Sequence, residues 1–95
     1  MIRHTVAFKL KHESGSGLEL DFLDEAKKLA DLPGVKTFQC MKQISEKNNF
    51  DFGLSMEFDS MDDYEDYNNH PVHSQFVQNR WIPEVLDFIE IDYDI

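Results

Sequence analysis

Apolar and polar residues alternate along positions 2–11 with a period of two, which is the pattern of a β-strand that buries one face. The inward-facing set comprises Ile2, His4, Val6, Phe8 and Leu10. His4 is the one polar member of that set. The sequence therefore places an imidazole on the buried side of the first strand.

The middle of the chain predicts a helix followed by a hairpin. Residues 18–31 repeat apolar side chains at helical spacing, and Leu32-Pro33-Gly34 ends this amphipathic helix. Residues 35–45 read as a second, less regular strand. Residues 50–58 alternate cleanly, and the polar turn at 46–49 joins the two strands into a hairpin.

The second helix is predicted in two parts. Ser60 is a suitable N-cap, with Asp63 at the position that answers it in a capping box. His70 precedes a proline, which pushes it out of the α region, and Pro71 suits the first turn of a new helix that His70 can cap. Pro83 is expected to end that helix, and residues 85–94 form the last strand.

The element order β-α-β-β-α-β, with short connections, predicts one α+β domain over residues 1–95 with a ferredoxin-like fold. Such a domain carries both helices on one face of a four-stranded antiparallel sheet. The last strand offers large apolar residues to both faces: Leu86 and Phe88 to one, Ile89, Ile91 and Tyr93 to the other. An apolar bare face needs a cover, and a second copy of the chain about a two-fold axis is the economical one.

Composition narrows the classes of partner. The 95 residues carry a formal net charge of −10, which disfavours nucleic acid and anionic membranes as partners because both need clustered cations. Cys40 is the only cysteine, so no internal disulfide forms. The N-terminus has no signal-peptide h-region, and a cytoplasmic location is the expectation.

Three side chains are candidates for chemistry in the space between the helices and the sheet. His4 lies on the inward face of the first strand, His73 on the apolar face of the second half-helix, and Tyr67 just before the helix break. Imidazoles and a phenol suit proton abstraction at a carbonyl compound. The alternative is that all three only pack in the core, which is the commoner role of a lone histidine on an apolar face.

The same space is the predicted ligand pocket, with His70, Phe76 and Trp81 as its further lining. The spacing His70-x-x-His73 could hold a metal, but Asp66 is a poor third ligand, so no metal is expected. No glycine-rich phosphate loop or other cofactor motif is present, and no cofactor is expected.

The chain resembles a known family in two segments. The opening Arg3-His4-Thr5-Val6-Ala7-Phe8-Lys9 and the later His70-Pro71-Val72-His73-Ser74-Gln75-Phe76, with Trp81 and a closing Asp92-Tyr93, are similar to the stress-responsive A/B barrel (Dabb) domain family. The resemblance covers essentially the whole chain. It implies a ferredoxin-like subunit that pairs into a dimeric α/β barrel.

Two functions follow from this resemblance. The first is a homodimeric protein of uncharacterised activity that binds a small apolar ligand between helices and sheet. The second is a cyclase or lyase resembling olivetolic acid cyclase, a plant enzyme of this kind that closes a linear polyketide by aldol condensation. By motif position its catalytic residues fall on His4, Tyr67 and His73, with His73 as the general base. We favour the first, because both histidines are typical of family members without a known reaction.

Overall fold

The computed structural model describes all residues from Met1 to Ile95 and has a ferredoxin-like fold. Its strands are β1 (Ile2–Leu10), β2 (Lys36–Lys42), β3 (Phe52–Phe58) and β4 (Val85–Asp94), and its α-helices are α1 (Gly17–Lys27), α2 (Met61–Asn69), α3 (Pro71–Phe76) and α4 (Ile82–Glu84). A 3₁₀ turn (Lys28–Asp31) extends α1, and a π-helical turn (Val77–Trp81) joins α3 to α4. The sheet order is β2-β3-β1-β4, with every neighbouring pair antiparallel. The predicted fold class is confirmed.

Polar caps fix where the first two helices begin. Ser60 Oγ accepts a hydrogen bond from the Asp63 backbone N–H at 3.2 Å, which confirms the predicted N-cap of α2. Ser16 caps α1 in the same way, accepting from the Glu19 N–H at 3.2 Å. The Glu19 carboxylate reaches back to the Gly15 N–H at 3.0 Å, which explains how this buried acid is satisfied.

The break in the second helical region lies at His70. Its backbone is extended (ψ 135°), and its Nδ1 accepts a hydrogen bond from the Val72 N–H at 3.1 Å. The helix does not end at Pro83, as was expected. It passes through Pro83 and ends at Glu84. Proline fits there because it stands in the first turn of α4, where its missing N–H is tolerated.

The hairpin strands are shorter than predicted. Thr37 adopts a left-handed backbone (φ 52°), and the pairing of β2 with β3 shifts between Lys36 and Gln39. A bulge of this kind interrupts strict alternation, which explains why the sequence of β2 looked irregular. β3 begins at Phe52 rather than at residue 50, because the Phe50 N–H is held by the Asn48 side chain in the turn.

The core lies between the helices and the inner face of the sheet. Phe8, Phe22, Met56 and Phe58 are its largest fully buried side chains. The outer face of the sheet carries exposed Ile89, Ile91 and Tyr93 from β4 and Met41 from β2, each with 42–50% of its surface accessible. None of the helices is both long and apolar enough to cross a membrane.

A group of paired charges holds the π-helical turn to the rest of the domain. Glu84 accepts from Arg80 Nε at 2.6 Å and lies 2.7 Å from His12 Nε2, while Arg80 also donates to Asp21 at 2.8 Å. The side chains of His12 and Glu84 are nearly buried. Burial alone would raise the pKa of Glu84, but the hydrogen bonds from Arg80 and His12 outweigh it and lower that pKa overall.

Replacing Glu84 by Gln should lower the free energy of unfolding by about 1–3 kcal/mol at neutral pH, because it removes the charge that pairs with the nearly buried His12 and with Arg80. A carboxyl with a depressed folded pKa stabilises the protein above its ordinary pKa of 4.5, and that contribution is lost as the pH falls through the folded value. The gap between wild type and variant should therefore shrink in acid. Urea unfolding followed by circular dichroism measures it. Glu25→Gln, which removes an exposed pair with Lys28, is the matched control and should change stability little.

Candidate functional site

A cavity of about 340 Å³ lies between the helices and the inner face of the sheet. Ten of its thirteen lining residues are hydrophobic, and the other three are His4, His73 and Glu90. Val6, Leu54 and Met56 form part of its floor on β1 and β3, while the π-helical turn contributes Val77 and Trp81. The walls thus offer an apolar space with a few polar groups.

His4 is held by a carboxylate from the neighbouring strand. Its Nδ1 lies 2.6 Å from Asp92 Oδ1, and the two residues are direct partners in the β1–β4 register. A carboxylate only accepts hydrogen bonds, so Nδ1 carries the proton of neutral His4 and Nε2 has a free lone pair. Nε2 has no hydrogen-bond partner in the protein. Every fully buried side-chain N or O atom has such a partner, so Nε2 is not fully buried. It therefore opens onto the cavity that His4 lines.

Tyr64 completes this arrangement from α2. Its hydroxyl donates to Asp92 Oδ2 at 2.8 Å and lies 2.8 Å from His4 Nδ1. Burial raises the pKa of the Tyr64 phenol well above its usual range, and the hydrogen bond to Asp92 adds to the rise. The phenol remains protonated at neutral pH, so Tyr64 and His4 together satisfy both carboxylate oxygens.

Tyr64 and Asp92 have roles here that the sequence patterns did not indicate. Asp92 entered the sequence interpretation only as part of a family resemblance. The available signal was strand register: in an antiparallel pair of β1 and β4, Asp92 falls directly opposite His4.

Tyr67 lies between the two cavity histidines. Its ring centre is 6.4 Å from that of His4 and 4.6 Å from that of His73. The side chain is buried, yet its hydroxyl has no protein partner and so opens onto the cavity. Burial raises the pKa of this phenol, and the Glu90 carboxylate adds to the effect. Tyr67 is therefore a proton donor rather than a phenolate at neutral pH.

His73 lines the cavity from α3. Its Nδ1 lies 3.1 Å from the backbone carbonyl of Asn68, which only accepts, so Nδ1 holds the proton of the neutral ring. Burial lowers the pKa of His73 below its ordinary value, although the hydrogen bond to Asn68 and the charge of Glu90 oppose the shift. His73 is consequently neutral near pH 7, with Nε2 unprotonated and free of protein partners.

The predicted pocket residues divide into two groups. Phe76 and Trp81 line the cavity, and the Trp81 ring packs 5.1 Å from Phe8 and 5.5 Å from Phe88 between ring centres. His70 is not part of the lining, because its imidazole turns to the start of α3 as the cap. We therefore leave His70 out of the candidate site.

No cluster of three or more His, Cys, Asp or Glu side chains is arranged to hold a metal ion. The imidazoles of His70 and His73 each direct Nδ1 to a backbone partner, the Val72 N–H and the Asn68 carbonyl respectively. The His70-x-x-His73 spacing therefore serves the helix break.

Replacing Asp92 by Ala is expected to switch the tautomer of His4. Without the carboxylate, the Tyr64 hydroxyl is free to donate to Nδ1, which moves the ring proton to Nε2 and removes the lone pair from the cavity. Long-range ¹H–¹⁵N NMR spectra report which nitrogen is protonated. Tyr64→Phe, which keeps Asp92, should retain the proton on Nδ1. An unchanged tautomer in Asp92→Ala would contradict this account.

The fold and the cavity together define a ferredoxin-like α+β domain with a small, mostly apolar site between helices and sheet. The model of the Stress responsive A/B Barrel Domain family matches residues 2–95. The chain belongs to that family, as the resemblance in its two segments predicted.

Several solved structures are similar to this chain. A Dabb family protein with a ferredoxin-like fold from Mesorhizobium loti is 52% identical, with 99% of this chain and 95% of that chain covered and a TM-score of 0.97. A dimeric ferredoxin-like protein of unknown function from Thermobifida fusca is 21% identical over 99% and 90% of the two chains, with a TM-score of 0.82. The hydroxynitrile lyase of Passiflora edulis is 16% identical over 99% and 92%, with a TM-score of 0.86. A comparison with curated protein sequences finds no match.

Proposed function

We propose that this chain is a homodimeric protein that binds a small, largely apolar ligand in the cavity between helices and sheet. The observation that carries the proposal is the cavity itself: about 340 Å³, ten apolar lining residues, and hydrogen-bonding atoms of His4 and Tyr67 open to it. Small-molecule sites combine an apolar lining with a few oriented polar groups, and their volumes start at about 300 Å³.

The homodimer is supported by the outer sheet face. Ile89, Ile91 and Tyr93 stand on it beside Ala7, whose small side chain leaves a flat centre. Arg3 on this face is already paired with Glu57 within the chain, at 2.6 Å. A second copy of the chain supplies the same apolar surface. The Thermobifida fusca protein of the same fold is described as dimeric.

Ligand binding is tested with 4-phenylbutan-2-one, a neutral ketone with an apolar body, followed by the fluorescence of Trp81. Trp81 is the only tryptophan and lines the cavity, so its emission reports binding there. We expect saturable quenching with a Kd of about 0.1–1 mM for so small a ligand. Val77→Phe narrows the cavity and should weaken binding at least about tenfold. Val72→Phe, on an exposed position outside this lining, is the control. Quenching that is linear and equal in all three proteins would refute the site.

A second candidate function, a lyase or cyclase acting on a carbonyl compound, is favoured by the protonation states around the cavity. The lone pair of His73 is available as a base near pH 7, and the Tyr67 phenol is a donor beside it. His73 Nε2 would take a proton from the carbon next to the carbonyl while the Tyr67 hydroxyl donates a hydrogen bond to the carbonyl oxygen. The proton then returns to carbon; alternatively, the enolate carbon attacks a second carbonyl carbon, the π bond of that carbonyl breaks, and its oxygen takes the proton from His73.

His4 is the assisting base in this scheme. Asp92 fixes its tautomer and balances a positive charge on the ring, as a carboxylate does for a catalytic histidine. The Passiflora edulis protein that shares the fold is described as a hydroxynitrile lyase, so at least one protein with this fold is a lyase.

A further inference from the structure

The charges around the cavity are of one sign. Glu90 is the only acidic residue among those that line the cavity, and no Lys or Arg lines it. Arg80 lies on the π-helical turn that lines the cavity, but its guanidinium is already bound to Glu84 and Asp21. The cavity therefore has no free Lys or Arg side chain that could pair with an anionic ligand.

Glu90 lies on the inner side of the edge strand β4. It is opposite Val6 in the register and shares its side of the strand with Phe88 and Asp92. None of the ion pairs or side-chain hydrogen bonds of the chain engages its carboxylate. Its charge nevertheless reaches Tyr67 and His73, since it opposes the loss of a proton from each of them.

We propose that Glu90 makes the cavity selective by charge, so that it accepts amphiphilic ligands that are uncharged or carry an ammonium group and rejects those that carry a carboxylate. This inference rests on the proposed ligand-binding function. An anion entering the cavity meets the Glu90 carboxylate with no cation to offset it, and the effective dielectric near a protein wall makes that repulsion substantial. An ammonium group gains the attraction of Glu90 and the ring of Phe88 or Trp81 beside it.

The selectivity has a chemical consequence for the second candidate function. Substrates and products with a free carboxylate are disfavoured in this cavity. Neutral ketones, aldehydes, alcohols and amines are favoured. Within the proposed chemistry, Glu90 is thus a specificity residue and the histidines remain the acid–base groups.

The test uses three probes of one shape: 4-phenylbutylamine, 4-phenylbutan-1-ol and 4-phenylbutanoate, each titrated against Trp81 fluorescence at neutral pH and low salt. In the wild-type protein the amine should bind about threefold tighter than the alcohol, and the carboxylate at least about tenfold weaker than the alcohol. High salt should shrink both differences, because Glu90 is exposed to solvent and its charge is therefore screened.

Two variants separate Glu90 from the overall charge of the chain. Glu90→Gln should reduce the ratio of amine affinity to carboxylate affinity at least about tenfold while leaving the alcohol unchanged. Asp87→Asn removes the same charge from the same strand on the outer face, opposite Lys9, and should leave the ratio intact.

Four outcomes decide between these possibilities. Carboxylate binding as tight as alcohol binding in the wild-type protein overturns the charge selection, and so does an unchanged ratio in Glu90→Gln with alcohol binding intact. Failure of the alcohol itself to bind the wild-type protein overturns the proposed ligand site, and the selectivity with it. The predicted order of affinities, lost only in Glu90→Gln, supports both.

Discussion

Replacing His73 by Gln should lower the rate at which the protein exchanges the α-protons of 4-phenylbutan-2-one with D₂O by about 10²–10⁴-fold, the usual contribution of a positioned general base. In the proposed lyase or cyclase mechanism, Nε2 of neutral His73 takes the proton and the Tyr67 hydroxyl stabilises the enolate oxygen. Proton NMR follows the loss of the α-proton signals, with the buffer-catalysed rate subtracted. This readout needs no knowledge of the natural substrate.

The pH profile of this exchange carries its own expectation. The base form of His73 is lost as the pH falls through its folded pKa, which lies below the ordinary value of 6.5. The rate should thus stay level around neutrality and decline only at lower pH. His70→Asn is the control, because Asn also caps helices and position 70 lies outside the cavity. Equal exchange by wild type and His73→Gln would contradict the catalytic assignment without touching ligand binding.

Replacing Ile91 by Asp should convert the proposed homodimer into a monomer. Ile91 is at the middle of β4 on the outer face, so two-fold symmetry places two new carboxylates in one interface. Burying an unpaired charge costs several kcal/mol, and the dimer constant should weaken by at least about a thousandfold. Sedimentation velocity over a range of protein concentrations measures the change.

Ile44→Asp is the matched control for the interface. Ile44 is 90% exposed in the loop between β2 and β3, away from the centre of the outer face. It should leave the assembly intact. A wild-type chain that sediments as a monomer at all concentrations, or an Ile91→Asp variant that sediments as a dimer, would contradict the proposal.

Most of the fold follows from local pattern, and the departures have local causes. β1 and β3 alternate strictly, and the structure places their apolar residues inward as predicted. β2 departs from strict alternation because Thr37 adopts a left-handed backbone. This conformation is rare for threonine, so the sequence does not predict it. The helix end near Pro83 departs because the short helix α4 follows the π-helical turn and holds Pro83 in its first turn, where the missing N–H is tolerated.

The candidate site was only half visible from the sequence. His4, Tyr67 and His73 stand out as polar residues on apolar faces, and the structure brings all three to one cavity. Asp92 and Glu90 were missed because β4 is apolar on its outer side, so its inward carboxylates look like an ordinary solvated face. Their meaning depends on the register with β1, a long-range pairing that periodicity does not encode.

The central claim is that a small neutral ligand occupies the cavity between helices and sheet, and methionine methyl NMR tests it most directly. Of the four methionines, Met56 lies on the cavity floor and is buried, Met41 lies on the outer sheet face, and Met1 and Met61 are exposed elsewhere. With ¹³C-methyl-methionine protein, 4-phenylbutan-2-one should shift the Met56 signal in a saturable manner and show intermolecular contacts to it. Shifts at Met41 with an unmoved Met56 would place the ligand on the outer face and contradict the account.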